Sequence, residues 1–328
     1  MARAPLELTW PQVIARRLAR SHLLEPAQSL VDAVRDVGLV QAQVLSAATI
    51  GACIRTRAAT AADVRRALYV ERTLVKTWSI RGTLHLVPAD ELQLWAAAAR
   101  GTPRQHGSHP ILDALDGRAL TRAELAEKVG DERLRSPWGE GLGRLAWDAA
   151  ICFGEPRGEH TTFVRVDQWL GPQPDVDPEA ARREVLRRYL RAYGPAKPAD
   201  FKRWSSWDGD FSDCTEVRVE RTRAFLLAGD EDGFDADPTS VHLLPQYDAY
   251  VLGFRPREQL VPAAVKGRVA ADPKGRFESV TGMSPLLVDG VVTGFWKRDG
   301  SVEHVVRLAR DRKRELVSAV ERMREILR

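Results

Sequence analysis

Apolar residues in the first part of the chain recur every three or four positions, the period of helices that bury one face. Thr9 is a suitable N-cap, and Pro11 lies early in the helix that it starts. Apolar periodicity predicts further helices over residues 28–37, 47–54 and 61–69, and strands over 39–43, 75–79 and 83–87. The last two strands join around Arg81-Gly82, and helices followed by a terminal hairpin are typical of a winged helix.

A similar order of elements recurs further along the chain in weaker form. We expect helices over 88–100, 121–129 and 142–152, the second of them opening with a capping box of Thr121 and Glu124. A hairpin that turns at 154–158 and returns over 161–166 follows. Residues 171–178 are dense in Gly and Pro and predict a linker, after which helices are expected over 179–193 and 197–204.

The last third of the chain is richer in β-type patterns. Strands are predicted over 217–227, 241–244, 286–288 and 291–296, and the final two are joined by Asp289-Gly290, a pair that suits a two-residue hairpin turn. A closing helix is expected over 315–327. Periodicity alone therefore gives an α+β fold class.

Composition narrows the class of protein. A chain of 328 residues has room for two or three cores, and 44% hydrophobic with 29% charged residues is ordinary for a globular protein. No segment approaches the roughly 20 apolar residues that cross a bilayer, and the first residues lack a secretory pattern, so we expect a cytoplasmic protein with no membrane partner. The net charge of +4 does not by itself indicate nucleic-acid binding, although 41 of the 49 cationic residues are Arg.

A short polar motif carries the most specific chemical signal. Val40-Gln41-Ala42-Gln43 follows the turn signal Val37-Gly38, and side chains two residues apart project to the same side of an extended backbone. Two carboxamides on one face are therefore predicted. Taken alone, the pair is better explained as two ordinary solvent-facing residues at a strand edge.

Other segments of the sequence indicate a specific function for the glutamine pair. Four further segments follow in order: Lys76-Thr-Trp-Ser-Ile-Arg-Gly-Thr-Leu-His-Leu-Val87, Arg188-Tyr-Leu-Arg-Ala-Tyr-Gly-Pro195, Ala199-Asp-Phe-Lys-Arg-Trp-Ser205 and Leu243-Leu-Pro-Gln-Tyr-Asp-Ala-Tyr-Val-Leu-Gly-Phe-Arg255. Together with the Gln-aliphatic-Gln motif, they resemble the AlkZ/YcaQ-type winged-helix DNA glycosylases, whose AlkZ branch carries that motif. The resemblance implies three tandem winged-helix units over 1–87, 88–172 and 173–328, the third enlarged by a small antiparallel β-sheet.

The resemblance also implies an activity. It assigns Gln41 and Gln43 as catalytic residues of a monofunctional glycosylase that removes N7-alkylated purines from double-stranded DNA, including bulky adducts or interstrand cross-links. N7-alkylated purines are already cationic and leave as neutral bases, so little acid catalysis is needed. A carboxamide both accepts and donates hydrogen bonds, which lets it orient a water and the sugar. We expect Gln43 to be the more demanding position, because the YcaQ branch has a carboxylate there.

Other residues are weaker candidates. We expect DNA contacts from Arg81, Thr83 and His85 of the first hairpin, although Arg81 is equally consistent with a solvated turn residue and His85 with a core residue. Asp248 is an acid that the resemblance makes structural. Core packing is the expected role of Trp204 and Trp207. The Arg-rich helix face of 182–191 and the basic run 307–314 are consistent with phosphate contact or with plain solvation.

No cofactor and no metal are indicated. Phosphate-binding and zinc motifs are missing from the sequence, and Cys53, Cys152 and Cys214 lie far apart, so we expect reduced, buried thiols. We expect a monomer. Two rival functions stay open at this stage, namely a winged-helix regulator without chemistry and a scaffold adapted to bind proteins or small molecules.

Overall fold

The computed structural model describes residues 5–100, 109–136, 139–269 and 277–327. The chain divides into two compact units. The larger unit comprises Met1–Val64 and Leu186–Arg328, and the smaller unit comprises Arg65–Val185.

Helices and strands are interspersed along the described residues. The helices are α1 (Trp10–Arg20), α2 (Leu30–Asp36), α3 (Leu45–Cys53), α4 (Ala61–Tyr69), α5 (Leu92–Arg100), α6 (Pro110–Ala114), α7 (Arg122–Val129), α8 (Gly143–Trp147), α9 (Val166–Trp169), α10 (Pro178–Tyr193), α11 (Pro198–Ser205), α12 (Ala249–Gly253), α13 (Arg257–Leu260), α14 (Ala263–Val269) and α15 (Arg310–Leu327). The strands are β1 (Leu6–Leu8), β2 (Val40–Gln41), β3 (Leu74–Trp78), β4 (Leu84–Pro88), β5 (Leu120–Thr121), β6 (Ile151–Arg157), β7 (His160–Arg165), β8 (Cys214–Val219), β9 (Thr222–Leu227), β10 (Val241–Leu243), β11 (Pro285–Val288), β12 (Val291–Trp296) and β13 (Val302–His304).

Capping and turn residues act where the sequence predicts. The Thr9 N–H donates to Gln12 Oε1 over 2.9 Å at the start of α1, and the Thr121 N–H donates to Glu124 Oε2 over 2.7 Å at the start of α7. Gly290 follows Asp289 in the β11–β12 turn, and both residues have positive φ, 79° and 51°. These signals set helix and hairpin ends because they satisfy local backbone groups.

The smaller unit is built around two β-structures. Strands β3 and β4 form an antiparallel hairpin in which Thr77 pairs with His85. A second sheet has the order β5-β7-β6. The aromatic core of the smaller unit contains Trp78, Phe153 and Phe163, with 4.8 Å between the ring centroids of the two phenylalanines. Burial of these rings supplies the hydrophobic stabilisation of this unit.

The larger unit contains two further sheets. One has the order β1-β8-β9, in which β1 runs parallel to β8, and the other is an antiparallel sheet of order β10-β11-β12-β13. The second sheet packs with α1 and α12 through a buried cluster that includes Ile14, Leu18, Phe254 and Leu287. A mixed α+β class with small antiparallel sheets is thereby confirmed.

Several predicted elements differ from those observed. The helix predicted over 142–152 ends at Trp147, because Ala149 has a φ of 53° and Ile151 already begins strand β6. The turn predicted at 154–158 lies further on, since β6 continues to Arg157. The prediction of one strand over 217–227 is wrong, because Glu220, with a φ of 53°, turns the chain between β8 and β9.

The C-terminal helix also differs from its predicted bounds. Helix α15 begins five residues earlier than expected, at Arg310 rather than 315. The division into winged-helix units 1–87, 88–172 and 173–328 stays a prediction. Within the described residues, no helix has the length and apolar content to span a membrane.

Candidate active site

The glutamine motif lies where strand β2 leads into helix α3. Val40 and Gln41 form the strand, and Gln43 follows in a bend just before Leu45 begins the helix. The strand is thus shorter than the predicted 39–43. Val40 and Ala42 are buried, with 2% and 0% of their surface exposed, whereas Gln41 is half-buried and Gln43 is exposed. This alternation directs both carboxamides away from the core of the larger unit, as the spacing predicts.

The backbone of the motif packs against helix α3. A Cβ added at Gly51 would lie 3.6 Å from Val40 Cγ1 and 3.7 Å from Asp248 Oδ2, so the helix closely approaches both groups. A larger side chain at position 51 would press on the motif from behind. Gly51 therefore marks where helix α3 packs against Val40, the residue before Gln41.

An ion pair is buried directly beyond that glycine. Arg55 Nη1 donates to Asp248 Oδ2 over 2.8 Å, Nη2 donates to Oδ1 over 2.7 Å, and both side chains are fully buried. Arg55 Nη1 also donates to the Gly51 carbonyl over 2.8 Å, and Asp248 Oδ1 accepts the Tyr250 N–H over 2.9 Å at the start of α12. Because Asp248 is occupied by these partners, its role is structural, in line with the role that the resemblance implies.

Trp204 and Trp207, for which core packing is expected, both pack in the larger unit. Trp204 is 6% exposed and lies in an aromatic cluster with Tyr189, Tyr193 and Phe201, at 5.1 Å between its ring centroid and that of Tyr189. Trp207 is half-buried and meets the Phe201 ring edge-on at 88°. Core packing is the role that these contacts support.

The hairpin of the smaller unit presents a tight turn between β3 and β4. Arg81 and Gly82 both have left-handed backbone conformations, with φ of 58° and 67°. The Gly82 N–H donates to the Ser79 carbonyl over 3.1 Å, and a Cβ at Gly82 would lie 2.9 Å from the Trp147 ring. Only glycine fits this position without displacing the tryptophan. The half-buried Arg81 and Thr83 are carried on this rigid turn.

His85 lies beneath the turn rather than on its surface. The side chain is 1% exposed, and burial, followed by the charge of Arg81, lowers the pKa of His85 to about 3. Nδ1 lies 3.0 Å from the Thr83 carbonyl and therefore carries the proton of the neutral ring, which leaves Nε2 to accept from Arg81 Nη2 at 3.4 Å. Direct DNA contact by His85 stays a prediction, and its geometry supports a role in orienting Arg81.

The structure brings Arg81, Thr83 and His85 together at one turn of the smaller unit. Gln41 and Gln43 belong to the larger unit, where neither is fully buried. Sequence reasoning missed Arg55 and Tyr193, which support the segment around the motif. Arg55 directly follows the predicted helix 47–54, and Tyr193 lies in the Arg188–Pro195 segment that carries the resemblance, but neither position alone indicated a supporting role.

Some arginines are exposed on the surface, whereas others take part in structural ion pairs. Arg182, Arg183, Arg187 and Arg191 on α10 are exposed, as a solvated face requires. By contrast, Arg312 in the basic run is 15% exposed and pairs with Asp289 at 2.9 Å. That residue is therefore occupied by a structural contact.

The described residues hold neither a cluster of metal ligands nor a strongly nucleophilic buried thiol. Among the residues that the structure describes, no group of three or more His, Cys, Asp or Glu side chains is arranged to hold a metal ion. Burial raises the pKa of Cys53 and of Cys152 to about 12, so these thiols stay protonated and poorly nucleophilic. Cys214 is a free thiol that is partly exposed, contrary to the expectation that all three are buried.

Comparison with known proteins gives a consistent result. The family described as DNA glycosylase AlkZ-like matches residues 34–326. The interstrand DNA cross-link repair glycosylase of Streptomyces sahachiroi is 34% identical over 365 residues, covering 97% of this chain and 95% of that protein. The solved structure of the Streptomyces sahachiroi DNA glycosylase AlkZ aligns with a TM-score of 0.78 at 29% identity and covers 97% of each chain.

The matched region contains the glutamine motif and extends through most of α15. It therefore includes both the predicted catalytic segment and the elements that support it. With a family match over most of its length and a relative above 30% identity, the chain belongs to the AlkZ-like DNA glycosylases, enzymes that hydrolyse the bond between a base and its deoxyribose.

Proposed function

We propose that this glycosylase removes N7-alkylated purines from double-stranded DNA, with Gln41 and Gln43 as its catalytic residues. The relative from Streptomyces sahachiroi is an interstrand DNA cross-link repair glycosylase, which supports bulky adducts and cross-links as substrates of this chain too. The observation that supports the site assignment is the alternating exposure of residues 40–43, in which Val40 and Ala42 are buried while Gln41 is half-buried and Gln43 is exposed.

The chemistry matches what carboxamides can do. Alkylation at N7 makes the purine cationic, so it leaves as a neutral base without a strong acid. The remaining tasks are to hold a water near C1′ of the sugar and to stabilise the charge that develops on the ring. A Gln oxygen accepts from the water while its NH2 group donates to the sugar, and such positioning is worth several kcal/mol, on the order of 7–11 in the best cases.

Two ionisable residues that could be considered as acids or bases are unsuited to that role. Asp248 is enclosed by its partners, and His85 is neutral and buried at physiological pH. The motif offers no Lys and no N-terminal amine to form a Schiff base with the sugar. A single hydrolytic step that ends at an abasic site follows from this set, so the enzyme is monofunctional.

DNA binding is assigned to the hairpin of the smaller unit. Arg81 is half-buried on a rigid turn, with its guanidinium oriented by His85 Nε2, and Thr83 stands beside it. An Arg side chain held in this way suits contact with a phosphate. We further propose that the protein acts as a monomer and that its elements form three tandem winged-helix units.

The test is the formation of abasic sites in a duplex that contains one N7-methylguanine. The purified protein is incubated with the labelled duplex, and alkali then cleaves the strand at each abasic site. We expect cleavage at the methylated position and none in the matched unmodified duplex. A second duplex, cross-linked between two guanine N7 atoms, is expected to yield separate strands on a denaturing gel.

Two results would count against the proposal. An absence of alkali-labile sites in the methylated duplex would remove N7-alkylated purines from the substrate class. Strand cleavage before alkali would instead show a lyase step, and the enzyme would then not be monofunctional.

A further inference from the structure

The chain turns sharply just before the glutamine motif. Helix α2 ends at Asp36, and Gly38 and Leu39 then both have left-handed backbones, with φ of 65° and 86°. Leu39 is 4% exposed and has a Cβ, so this conformation is disfavoured for it and needs support from its surroundings. The direction of this turn sets where Val40 and Gln41 begin.

Two backbone bonds close the turn, from the Gly38 N–H to the Arg35 carbonyl over 3.1 Å and from the Leu39 N–H to the Val34 carbonyl over 3.2 Å. A buried side-chain hydroxyl group adds a third bond from helix α10. Tyr193 Oη donates to the Val37 carbonyl over 2.7 Å and lies 3.2 Å from the Ala249 carbonyl. A phenol has one proton to donate, and the shorter distance favours Val37 as its acceptor. Tyr193 is 1% exposed, so water does not replace this bond when it is lost.

The Tyr193 ring is held on two sides. A Cβ at Gly253 of α12 would lie 2.1 Å from Tyr193 Cε1, so the helix backbone lies directly against the ring. Trp204 lies 6.1 Å from Tyr193 between ring centroids and is 3.4 Å from where a Cβ of Gly38 would stand. The hydroxyl is therefore fixed in position relative to the turn.

Helix α12 is in turn tied to the other end of the motif. Its N-cap, Asp248, forms the buried pair with Arg55, which also donates to the Gly51 carbonyl of α3. The segment Asp248 to Gly253 thus connects to the chain before the glutamines through Tyr193 and to the helix after them through Arg55. These contacts span the motif from both ends.

We infer that Tyr193 is a positioning residue for catalysis, which fixes the entry of the strand that carries Gln41 and Gln43. This inference rests on the proposed function of those glutamines. Tyr193 contacts backbone rather than substrate, so its effect is expected on the rate of bond cleavage and not on DNA affinity. Positioning errors of a fraction of an ångström are enough to slow an attack by a held water.

The test compares two buried tyrosines of the same unit. Y193F removes only the hydroxyl that reaches Val37, and Y250F removes one that donates to the Gly290 carbonyl over 3.0 Å, away from the motif. We expect Y193F to lower the single-turnover excision rate on N7-methylguanine duplex by about tenfold, with DNA Kd within about twofold of wild type. Y250F should keep the wild-type rate while losing a similar amount of melting temperature.

A readout independent of the reaction accompanies the rates. Amide hydrogen exchange of residues 38–43 should be faster in Y193F than in Y250F, because local opening of the turn no longer breaks the bond to Val37. Incorporating 4-aminophenylalanine at position 193 restores a donor at the same place and should recover most of both the rate and the protection. Failure of this replacement to recover either property overturns the inference.

The experiment distinguishes a failure of this inference from a failure of the proposed function. If Y193F cleaves at the wild-type rate while Q41A and Q43A are slow, the inference is wrong and the proposed function stands. If Q41A and Q43A are also as fast as wild type, the proposed catalytic site is wrong and the positioning role falls with it. Equal loss of rate in Y193F and Y250F, with equal exchange, would show a general loss of stability and overturn the inference.

Discussion

Arg55 and Asp248 form a two-point ion pair in which both side chains are fully shielded from water, and 193 residues separate them in the chain. Removing a charge from water is costly, and this pair offsets the cost with two short bonds plus donors and acceptors from the backbone. Its position beside Gly51 places it behind the glutamine motif. The pair joins the first segment of the larger unit to the last.

Breaking this pair on one side should strongly destabilise the protein. R55M or D248N leaves a buried partner unmatched, and we expect either to lower the free energy of unfolding by about 3–5 kcal/mol. The double variant R55M/D248N should lose less than the sum of the single changes, because it leaves no isolated buried charge. Urea unfolding of the four proteins measures this.

The control for that series is an exposed pair of the same unit. Arg223 Nη2 lies 2.6 Å from Glu216 on neighbouring strands, with both side chains largely in water. R223M should leave the urea midpoint nearly unchanged. Additive losses in the Arg55 and Asp248 cycle would contradict the coupling described here.

Stability should fall as the solution is acidified, and His85 should contribute. Burial, followed by Arg81, lowers the folded-state pKa of His85 to about 3, below its ordinary value near 6.5. Between those values the unfolded chain binds a proton that the folded protein excludes, so the stabilisation is complete above about pH 6.5 and is lost as pH drops towards 3. The slope is up to about 1.4 kcal/mol per pH unit for one histidine.

His242 contributes in the same direction, since burial is the main cause that lowers its pKa to about 4. The free energy of unfolding of H85Q should therefore fall less steeply with acidification than that of wild type. His242 should still contribute to the fall in both proteins. The exposed His160, changed to glutamine, serves as the control and should keep the wild-type profile. Denaturant unfolding at several pH values measures the slopes, and identical slopes for wild type and H85Q would contradict the burial argument.

DNA binding should weaken steeply with salt, because contacts to phosphates release counterions. R81A should reduce the slope of log affinity against log salt by about one contact if the guanidinium touches a phosphate. R81K keeps the charge and should recover most of the slope but less of the affinity, since it lacks the planar fork. Binding isotherms over a salt series measure this, and an unchanged slope in R81A would remove Arg81 from the interface.

Catalysis should not depend on a divalent ion. The described residues include no arrangement of three or more ligating side chains, and the proposed reaction needs only a positioned water. We expect the excision rate in excess chelator to equal that without it. Loss of activity that returns on adding zinc or magnesium would contradict this expectation.

Local patterns were enough to predict some parts of the fold. The β3–β4 hairpin, the Thr121 capping box and the Asp289-Gly290 turn each depend on residues a few positions apart, and all three occur. The placement of Gln41 and Gln43 on one face stays a prediction, because strand β2 ends at Gln41.

Long-range features were not predictable by these means. Strand β1 is only three residues long and pairs in parallel with β8 more than 200 positions later, which no periodicity announces. Arg16 and Arg17 of α1 are 1% and 2% exposed, although charged residues ordinarily indicate a solvated face. Arg16 Nη2 pairs with Asp230 Oδ2 at 2.5 Å, and Arg17 Nη2 donates to the Pro195 carbonyl over 2.8 Å, so both buried guanidinium groups have partners. Such partners become visible only once the chain is folded.

The most direct test of the account is the single-turnover excision rate of Q41A and Q43A on duplex DNA with one N7-methylguanine. Each variant should lose at least about tenfold in rate, equivalent to roughly 1.4 kcal/mol of barrier, while its DNA affinity stays close to that of wild type. Wild-type rates in both variants would contradict the assignment of the glutamine pair as the catalytic residues.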